Sequence, residues 1–229
     1  MYIYGKNVAK ETLKTNKTIF KAILSKNFKE EDILKQLQER NIIIEYKDKR
    51  WMDEISLNHQ GIILSVPDYK YASIEEINEE TSFIVILDHL EDPHNLGAII
   101  RTSEAAGVEY IIIPKNRSIE VNSTVMKTSA GALENMKIIQ VTNLVQTMKQ
   151  LKQKGFWFYG TDMEGDVYTD LSYQGKIGLI IGSEGYGMSR LVKEECDFIA
   201  SIPMKGRINS LNASVAAGVV IYEAVRQRK

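Results

Sequence analysis

The sequence has little cysteine, little proline and no long hydrophobic run, and each shortage excludes a class of protein. One cysteine, Cys196, among 229 residues allows no internal disulfide, which favours a reducing cytoplasm. Four prolines and 44% hydrophobic residues argue against a disordered chain. The aliphatic runs, such as Phe83–Leu87, have the length of a strand, so no membrane helix is predicted. No apolar stretch follows Met1–Lys10, so no signal peptide is expected.

Charge is balanced overall but unevenly distributed. The formal net charge is −1, which neither indicates nor excludes a nucleic-acid partner. Residues 1–29 contain seven lysines and one acidic residue, whereas Ile74–Asp92 contains seven acidic residues and no lysine or arginine. A basic first segment can attract a polyanion, and a solvated lysine-rich surface is an equally good interpretation.

The pattern of the chain divides it into two domains. An amphipathic helix, Glu30–Arg40, and two β-branched strands, Ile42–Tyr46 and Gly61–Val66, predict a small α/β domain over residues 1–70. Residues 71–81 are acidic and poor in aliphatic side chains, so we expect a linker or a short helix. In residues 82–229 apolar strands alternate with helices, which predicts a parallel sheet covered on both faces. The strands expected there are Phe83–Leu87, Tyr110–Ile113, Phe156–Gly160, Ile177–Ile181 and Phe198–Ile202, and the helices are Leu96–Ala106, Asn143–Lys154 and Ser210–Arg228.

Ligands bind such sheets beyond the carboxyl ends of the strands, and three segments follow strands there. The first segment runs from Leu87 to Arg101. Asn95 is expected to cap a helix that contains Arg101. Gly97 is a poor helix former, which indicates that something approaches the backbone closely. A capped turn with a surface arginine is the ordinary alternative.

The same segment contains two aspartates and two histidines, which raises the question of a metal site: Asp88, His89, Asp92 and His94. Their spacing matches no zinc motif, and no cysteine pair accompanies them. We therefore expect no metal.

The second segment, Gly178–Arg190, is a buried strand followed by Gly182, Gly185 and Gly187. Such a loop lets a ligand touch the main chain, although a tight glycine turn is the alternative. No lysine follows Gly187, so the loop is not a nucleoside-triphosphate site, and the dinucleotide pattern also fails because its third glycine is missing. Glu184 within the loop suits a ligand that is cationic or rich in hydrogen-bond donors.

The third segment, Ile202–Gly218, leads from a strand through a loop into the last helix. Asn209 or Ser210 is expected to cap that helix. Its first turns consist of small residues, which let another backbone come near, either within the fold or across a dimer. A plain core helix is the alternative.

Together the three segments resemble the SpoU branch of knotted RNA methyltransferases, the TrmH-like family of the SPOUT superfamily. Its motifs occur in order: NLGAIIR at Asn95–Arg101, IGSEGYGMS at Ile181–Ser189 and IPMKGRINSLNASVAAG at Ile202–Gly218. Residues 3–7 and 59–63 are similar to the ribosomal-protein-like substrate-binding domain of the RlmB-like 23S rRNA guanosine 2′-O-methyltransferases.

The resemblance implies a trefoil knot, a homodimer and S-adenosylmethionine as the methyl donor to a ribose 2′-hydroxyl of RNA. It maps the catalytic polar set onto Asn95, Arg101, Glu184, Ser210 and Asn212. It places the donor near Thr161, Gly182, Gly187, Ile202, Met204 and Leu211. RNA phosphates would contact Lys6, Lys10, Lys14, Lys17, Lys21 and Arg207. His59 and Gln60 could also touch RNA, but a structural role suits them better.

The family mechanism makes the arginine, here Arg101, the base that activates the ribose hydroxyl. A guanidinium rarely gives up its charge, so Arg101 either loses a proton when an RNA phosphate holds it, or only positions that phosphate. The sequence leaves both alternatives open. The expected function is 2′-O-methylation of a guanosine in large-subunit (23S) rRNA; the alternatives are the same reaction on tRNA, another rRNA site, or a catalytically silent RNA-binding assembly factor.

Overall fold

The computed structural model describes residues 1–228, which form two compact units, Met1–Lys70 and a second that begins at Tyr71. The first unit has the bounds expected for the first domain. No helix within the described residues is long and apolar enough to cross a membrane.

The first unit is a four-stranded sheet with three helices. Its elements are β1 (Tyr2–Tyr4), α1 (Lys6–Lys14), β2 (Lys21–Ser25), α2 (Glu31–Glu39), β3 (Ile43–Lys47), α3 (Lys49–Ile55) and β4 (Ile62–Ser65). The strand order is β1-β4-β2-β3, and only β2 and β3 run parallel. One face packs Ile23 and Ile63 against Met52 of α3. Ile63 lies in the predicted strand Gly61–Val66, whereas Ile23 and Met52 lie in β2 and α3, which the sequence analysis did not identify.

His59 has a structural role in this unit. Its side chain is buried, and its Nε2 lies 3.1 Å from Asp53 Oδ1. Its Nδ1 accepts a hydrogen bond from the main-chain N–H of Gly61. Gln60 accepts from the main-chain N–H of Lys6, so both residues hold the loop before β4.

The second unit is a six-stranded sheet flanked by helices. Its elements are β5 (Phe83–Asp88), α4 (Pro93–Ala105), β6 (Tyr110–Pro114), α5 (Ser123–Thr128), β7 (Lys137–Val141), α6 (Leu144–Gln153), β8 (Trp157–Val167), β9 (Ile177–Gly182), α7 (Arg190–Glu194), β10 (Phe198–Ser201) and α8 (Ala213–Gln227). The strand order is β10-β8-β9-β5-β6-β7, and every neighbouring pair is parallel.

The register aligns the carboxyl ends of the central strands. Asp88 at the end of β5 pairs with Gly182 at the end of β9. Every residue of β5 and β6 is buried, because helices and loops cover both faces of the sheet. The predicted parallel α/β fold is confirmed, and the sheet places the segments that follow β5 and β9 side by side.

Residues 71–81, expected to be a linker or a short helix, pack onto the second unit and include a short 3-10 helix at Ile74–Glu76. The main-chain N–H of Ala72 donates to the carbonyl of Ile138 in β7 (2.8 Å). Ile77 is fully buried in the core, and its carbonyl accepts from Lys154 Nζ (2.6 Å). The few aliphatic side chains of the segment are therefore core residues.

Candidate active site

Asn95 and Glu184 meet at the carboxyl ends of β5 and β9. Asp92 caps α4 by accepting from the main-chain N–H of His94 (3.0 Å), and Pro93 occupies the first helical position. The expectation that Asn95 is the cap is therefore wrong. Asn95 lies inside the first turn, buried, and its Nδ2 donates to Glu184 Oε1. The helix start thus frees the amide to contact the glycine loop.

Asp88 connects the two strand ends, a role that sequence patterns did not reveal. Its carboxylate is fully buried, and Oδ2 accepts from the main-chain N–H of Ser189 (2.6 Å). Oδ1 lies 2.5 Å from Nδ1 of His89, a residue in the left-handed region (φ 57°). Its only signal in the sequence was a carboxylate at the end of an apolar strand. No group of three or more potential metal ligands occurs among residues 1–228.

The glycine loop is a tight hairpin. Ser183 and Gly187 exchange two main-chain hydrogen bonds of 3.0 Å, so the N–H and carbonyl of Gly187 are engaged within the loop. A Cβ on Gly182 would lie 2.3 Å from the carbonyl carbon of Gly187. Gly182 is therefore required because the chain approaches itself there, which is the tight-turn alternative.

Gly97 is required for a similar reason. A Cβ at this position would lie 1.8 Å from Thr128 Oγ1 and 3.1 Å from the main-chain nitrogen of Ser129. The close neighbour inferred from the sequence is thus the end of α5. Helix α5 packs against the first turn of α4 and so fixes the position of Asn95.

The loop that precedes α8 contrasts with the hairpin because its main chain is unbonded. Within the described residues no main-chain hydrogen bond joins positions 202–211 to another main-chain group. Asn212, not Asn209 or Ser210, caps α8: its Oδ1 accepts from the main-chain N–H of Ser214 (2.9 Å) and from its hydroxyl (2.6 Å). Ser210 is exposed. The loop therefore offers free peptide groups to a ligand.

Apolar side chains accompany these peptide groups. Met204 and Leu211 are each more than one third exposed, and Ile202 is half-buried. Thr161, the remaining residue of the expected donor site, uses its hydroxyl to donate to the carbonyl of Ile180 (3.0 Å), so only its main chain is available.

Arg101 is not part of the Asn95–Glu184 contact. It lies six residues along α4 from Asn95, on the exposed side of the helix. No hydrogen bond or ion pair of its guanidinium occurs within the part of the chain that the structure describes. Arg207 on the third loop is exposed as well.

Several of the lysines expected to bind RNA are paired with acidic residues. Lys6 Nζ donates to Glu30 Oε1 (2.8 Å), and Lys10 Nζ lies 3.6 Å from Glu30 Oε2. The hydrogen bond from Lys6 lowers the pKa of the Glu30 carboxyl. Lys21 contacts Glu45 (3.0 Å), and this hydrogen bond raises the pKa of the Lys21 ammonium. The positive charge of the first segment is thus smaller than the sequence suggested, while Lys14 is exposed.

Two family models cover most of the chain. The model of the SpoU rRNA Methylase family matches residues 82–222. A model described as RNA 2′-O ribose methyltransferase substrate binding matches residues 2–72. The chain belongs to the SpoU rRNA methylase family. It is accordingly an S-adenosylmethionine-dependent RNA methyltransferase, as the resemblance implied.

Curated relatives match this SpoU methylase over nearly its whole length. YacO of Bacillus subtilis (strain 168), which carries the name TrmH family tRNA/rRNA methyltransferase, is 40% identical, and the match spans 99% of this chain and 96% of YacO. A protein of the same family name in Staphylococcus epidermidis is 42% identical over 99% of this chain and 95% of its own length.

Solved structures share the fold. The SpoU methyltransferase AviRb from Streptomyces viridochromogenes, in complex with AdoMet, matches 99% of this chain and 89% of its own with a TM-score of 0.82 and 23% identity. An AdoMet-bound rRNA methyltransferase from Sinorhizobium meliloti matches 98% of this chain and 86% of its own (TM-score 0.77, 23% identity). A TrmH/SpoU tRNA modifying enzyme from A. aeolicus matches 67% of this chain and 81% of its own (TM-score 0.60, 31% identity).

Proposed function

We propose that this protein transfers a methyl group from S-adenosylmethionine to the ribose 2′-hydroxyl of a guanosine in large-subunit (23S) rRNA, in the cytoplasm. The presence of the first unit is the observation that carries the choice of rRNA. The neighbour named as an rRNA methyltransferase matches 98% of this chain, whereas the neighbour named as a tRNA modifying enzyme matches 67%. Methylation of tRNA is the alternative.

The third loop and the glycine hairpin fit the methyl donor. An adenosyl group has a flat apolar body with polar edges, and the loop at 202–211 offers unbonded peptide groups beside Met204 and Leu211. The carboxylate of Glu184, at the hairpin tip, complements a sulfonium cation. When bound, S-adenosylmethionine supplies an electrophilic methyl group and requires no metal.

The remaining polar groups act on the ribose. Asn95, held by Glu184, is placed to orient the hydroxyl that is methylated. Ser210 is exposed and can donate to the same ribose, while Asn212 keeps the loop in position through its cap on α8. We assign to Arg101 the binding of an RNA phosphate, because its charged group is exposed and unpaired within the described chain.

RNA binding outside the site is assigned to the first unit and to Arg207. Of the predicted lysines, Lys14 is the best candidate for a phosphate contact, since Lys6, Lys10 and Lys21 must exchange a carboxylate for a phosphate.

We also propose that the protein forms a homodimer and that its second unit contains a trefoil knot. Val215 and Tyr222, seven residues apart on α8, are each half exposed and lie on one side of the helix. They form an apolar stripe that a second copy can cover.

Primer extension tests the proposed reaction. Unmodified 23S rRNA and tRNA transcripts are incubated with the protein and S-adenosylmethionine, and reverse transcription at low nucleotide concentration pauses at each 2′-O-methylated ribose. A donor-dependent stop at one guanosine of 23S rRNA is expected. Asn95→Ala should abolish this stop while still binding the donor in calorimetry.

A stop in tRNA alone would transfer the function to the alternative substrate. Donor binding without a stop on any RNA would contradict the proposed reaction and favour the silent assembly factor.

A further inference from the structure

Tyr186 stands on the tip of the glycine hairpin with nothing from its own chain against it. The side chain is 95% exposed, the highest fraction among the large apolar residues of the described chain. No hydrogen bond or ring contact involves it within residues 1–228. A ring left in water in this way has its whole surface available to a partner.

The tip of the hairpin is held by hydrogen bonds, although the Tyr186 side chain has no partner in its own chain. The three-residue loop Glu184–Tyr186 is closed by the two hydrogen bonds between Ser183 and Gly187. Gly185 and Gly187 have φ values of +84° and +67°, which other residues rarely adopt. Below the loop, Asp88 holds the main chain at Ser189. A tyrosine adds only two side-chain torsions, so the ring loses little entropy when it binds.

The place of Tyr186 in the hairpin, close in the chain to Glu184, indicates the kind of partner that its ring would meet. Glu184, two residues before Tyr186 in the same hairpin, contacts Asn95, and this contact marks the place assigned to the ribose. The planar group next to a ribose in RNA is a nucleobase. Single-stranded RNA is commonly bound by stacking its bases on exposed aromatic rings, and this stacking tolerates any base because each has a π face.

We propose that Tyr186 stacks on a nucleobase adjoining the methylated ribose and so contributes to the binding of the RNA substrate. This inference rests on the proposed function, because it requires an RNA ribose at Asn95. The hairpin then has two roles, since Glu184 serves the reacting centre and Tyr186 holds the RNA beside it.

Substitutions that keep or remove the ring test the proposal. Tyr186→Phe, Tyr186→Leu and Tyr186→Ala are compared in the full chain, with kcat and KM measured for an RNA transcript that the wild type methylates. The phenylalanine variant should stay within about twofold of wild type. The leucine and alanine variants should raise KM for RNA roughly tenfold, the effect expected for loss of one stacked base, with KM for S-adenosylmethionine unchanged.

Trp157 supplies the matched control. It is 53% exposed, but it begins β8 and pairs with Ile177, at the end of the sheet opposite to the hairpin. Trp157→Ala should leave KM for RNA unchanged.

Two results would overturn the inference while leaving the proposed function standing. One is a Tyr186→Ala enzyme with the wild-type KM for RNA. The other is a change of oligomeric state for Tyr186→Ala in sedimentation, which would assign the ring to a contact between copies. If the wild type itself methylated no RNA, the proposed function would fail instead, and the two failures are therefore distinct.

Discussion

Gly97 offers the sharpest test of how the fold positions the candidate site. Replacement by alanine would place a Cβ 1.8 Å from Thr128 Oγ1 and 2.7 Å from Thr128 Cβ, where ordinary contact begins at 3.4 Å. The hydroxyl alone cannot resolve the clash by rotating, because the Thr128 Cβ is also too close. Helices α4 and α5 must therefore separate by at least about 0.7 Å, the difference between the 3.4 Å contact distance and the 2.7 Å approach to the Thr128 Cβ.

The expected cost follows from two opposing effects. Overpacking of this size costs about 3 kcal/mol, the upper end of the usual range. Alanine in place of glycine inside a helix recovers about 1 kcal/mol. We therefore expect Gly97→Ala to lower the free energy of unfolding by about 2 kcal/mol. Because Asn95 lies in the same helical turn, kcat should also fall by roughly tenfold or more.

Urea unfolding measures the free energy of unfolding of the second unit. The first unit has one tryptophan, Trp51, and the second has Trp157. In a Trp51→Phe background, Trp157 fluorescence therefore reports the second unit alone. Adding Thr128→Ala to Gly97→Ala should restore part of the loss, since it removes the atom in the closest contact.

Gly218 is the matched control for this prediction. It lies within α8, and the nearest atom to a Cβ there is Thr102 Cγ2 at 3.8 Å. Gly218→Ala should therefore stabilise the second unit by up to about 1 kcal/mol. A Gly97→Ala protein as stable as wild type, or more stable, would refute the argument from close approach.

Three further predictions concern ionisable side chains of the second unit. Asp88→Ala leaves the main-chain N–H of Ser189 without its carboxylate acceptor. This variant should destabilise the second unit by about 2 kcal/mol and weaken donor binding in calorimetry. Asp88→Asn retains one acceptor oxygen and should lose less stability. Burial raises the pKa of the Cys196 thiol to about 12, so its labelling at pH 8 should be about a thousandfold slower in the folded protein than in urea; equal rates would contradict burial. Burial alone would raise the pKa of the Asp162 carboxyl, but main-chain N–H groups and the Lys193 ammonium (2.9 Å) outweigh it and lower the pKa overall. Since the folded pKa of Asp162 lies below the unfolded one, this carboxylate stabilises the fold above pH 3.8, and the contribution is lost as the pH falls through the folded pKa. Lys193→Met should therefore reduce the loss of stability on acidification. An unchanged dependence of stability on acid pH would show that the pair contributes nothing.

The large elements of the second unit were predictable because their signals are local. A strand buried on both faces is a continuous apolar run, so Phe83–Leu87 and Ile177–Ile181 identified β5 and β9 to within one residue. Helices α1 and α3 and strand β7, of nine, seven and five residues, were not identified from the sequence. Their structure depends on the surfaces they pack against.

The first residues of the helices were likewise only partly predictable from the sequence. The pair Asp92–Pro93 is itself a cap signal, but Asn95 is also a favourable cap residue, and the sequence analysis chose Asn95. For α8 several polar residues precede the helix, and only the folded loop selects Asn212. The acidic segment 71–81 resembled a linker because composition does not show that Ile77 reaches a core built from β7 and α6.

The sequence by itself determined the family, the parallel α/β sheet of the second unit and the residues of the three motifs, since these depend on local apolar runs and on residue order. Tertiary structure alone decided that Asn95 meets Glu184, that Asp88 holds the hairpin, that α5 fills the space beside Gly97 and that Arg101 faces outward. Each of these involves atoms brought together from distant positions or from the opposite side of a helix, and distances of this kind are set by packing rather than by any pattern along the chain.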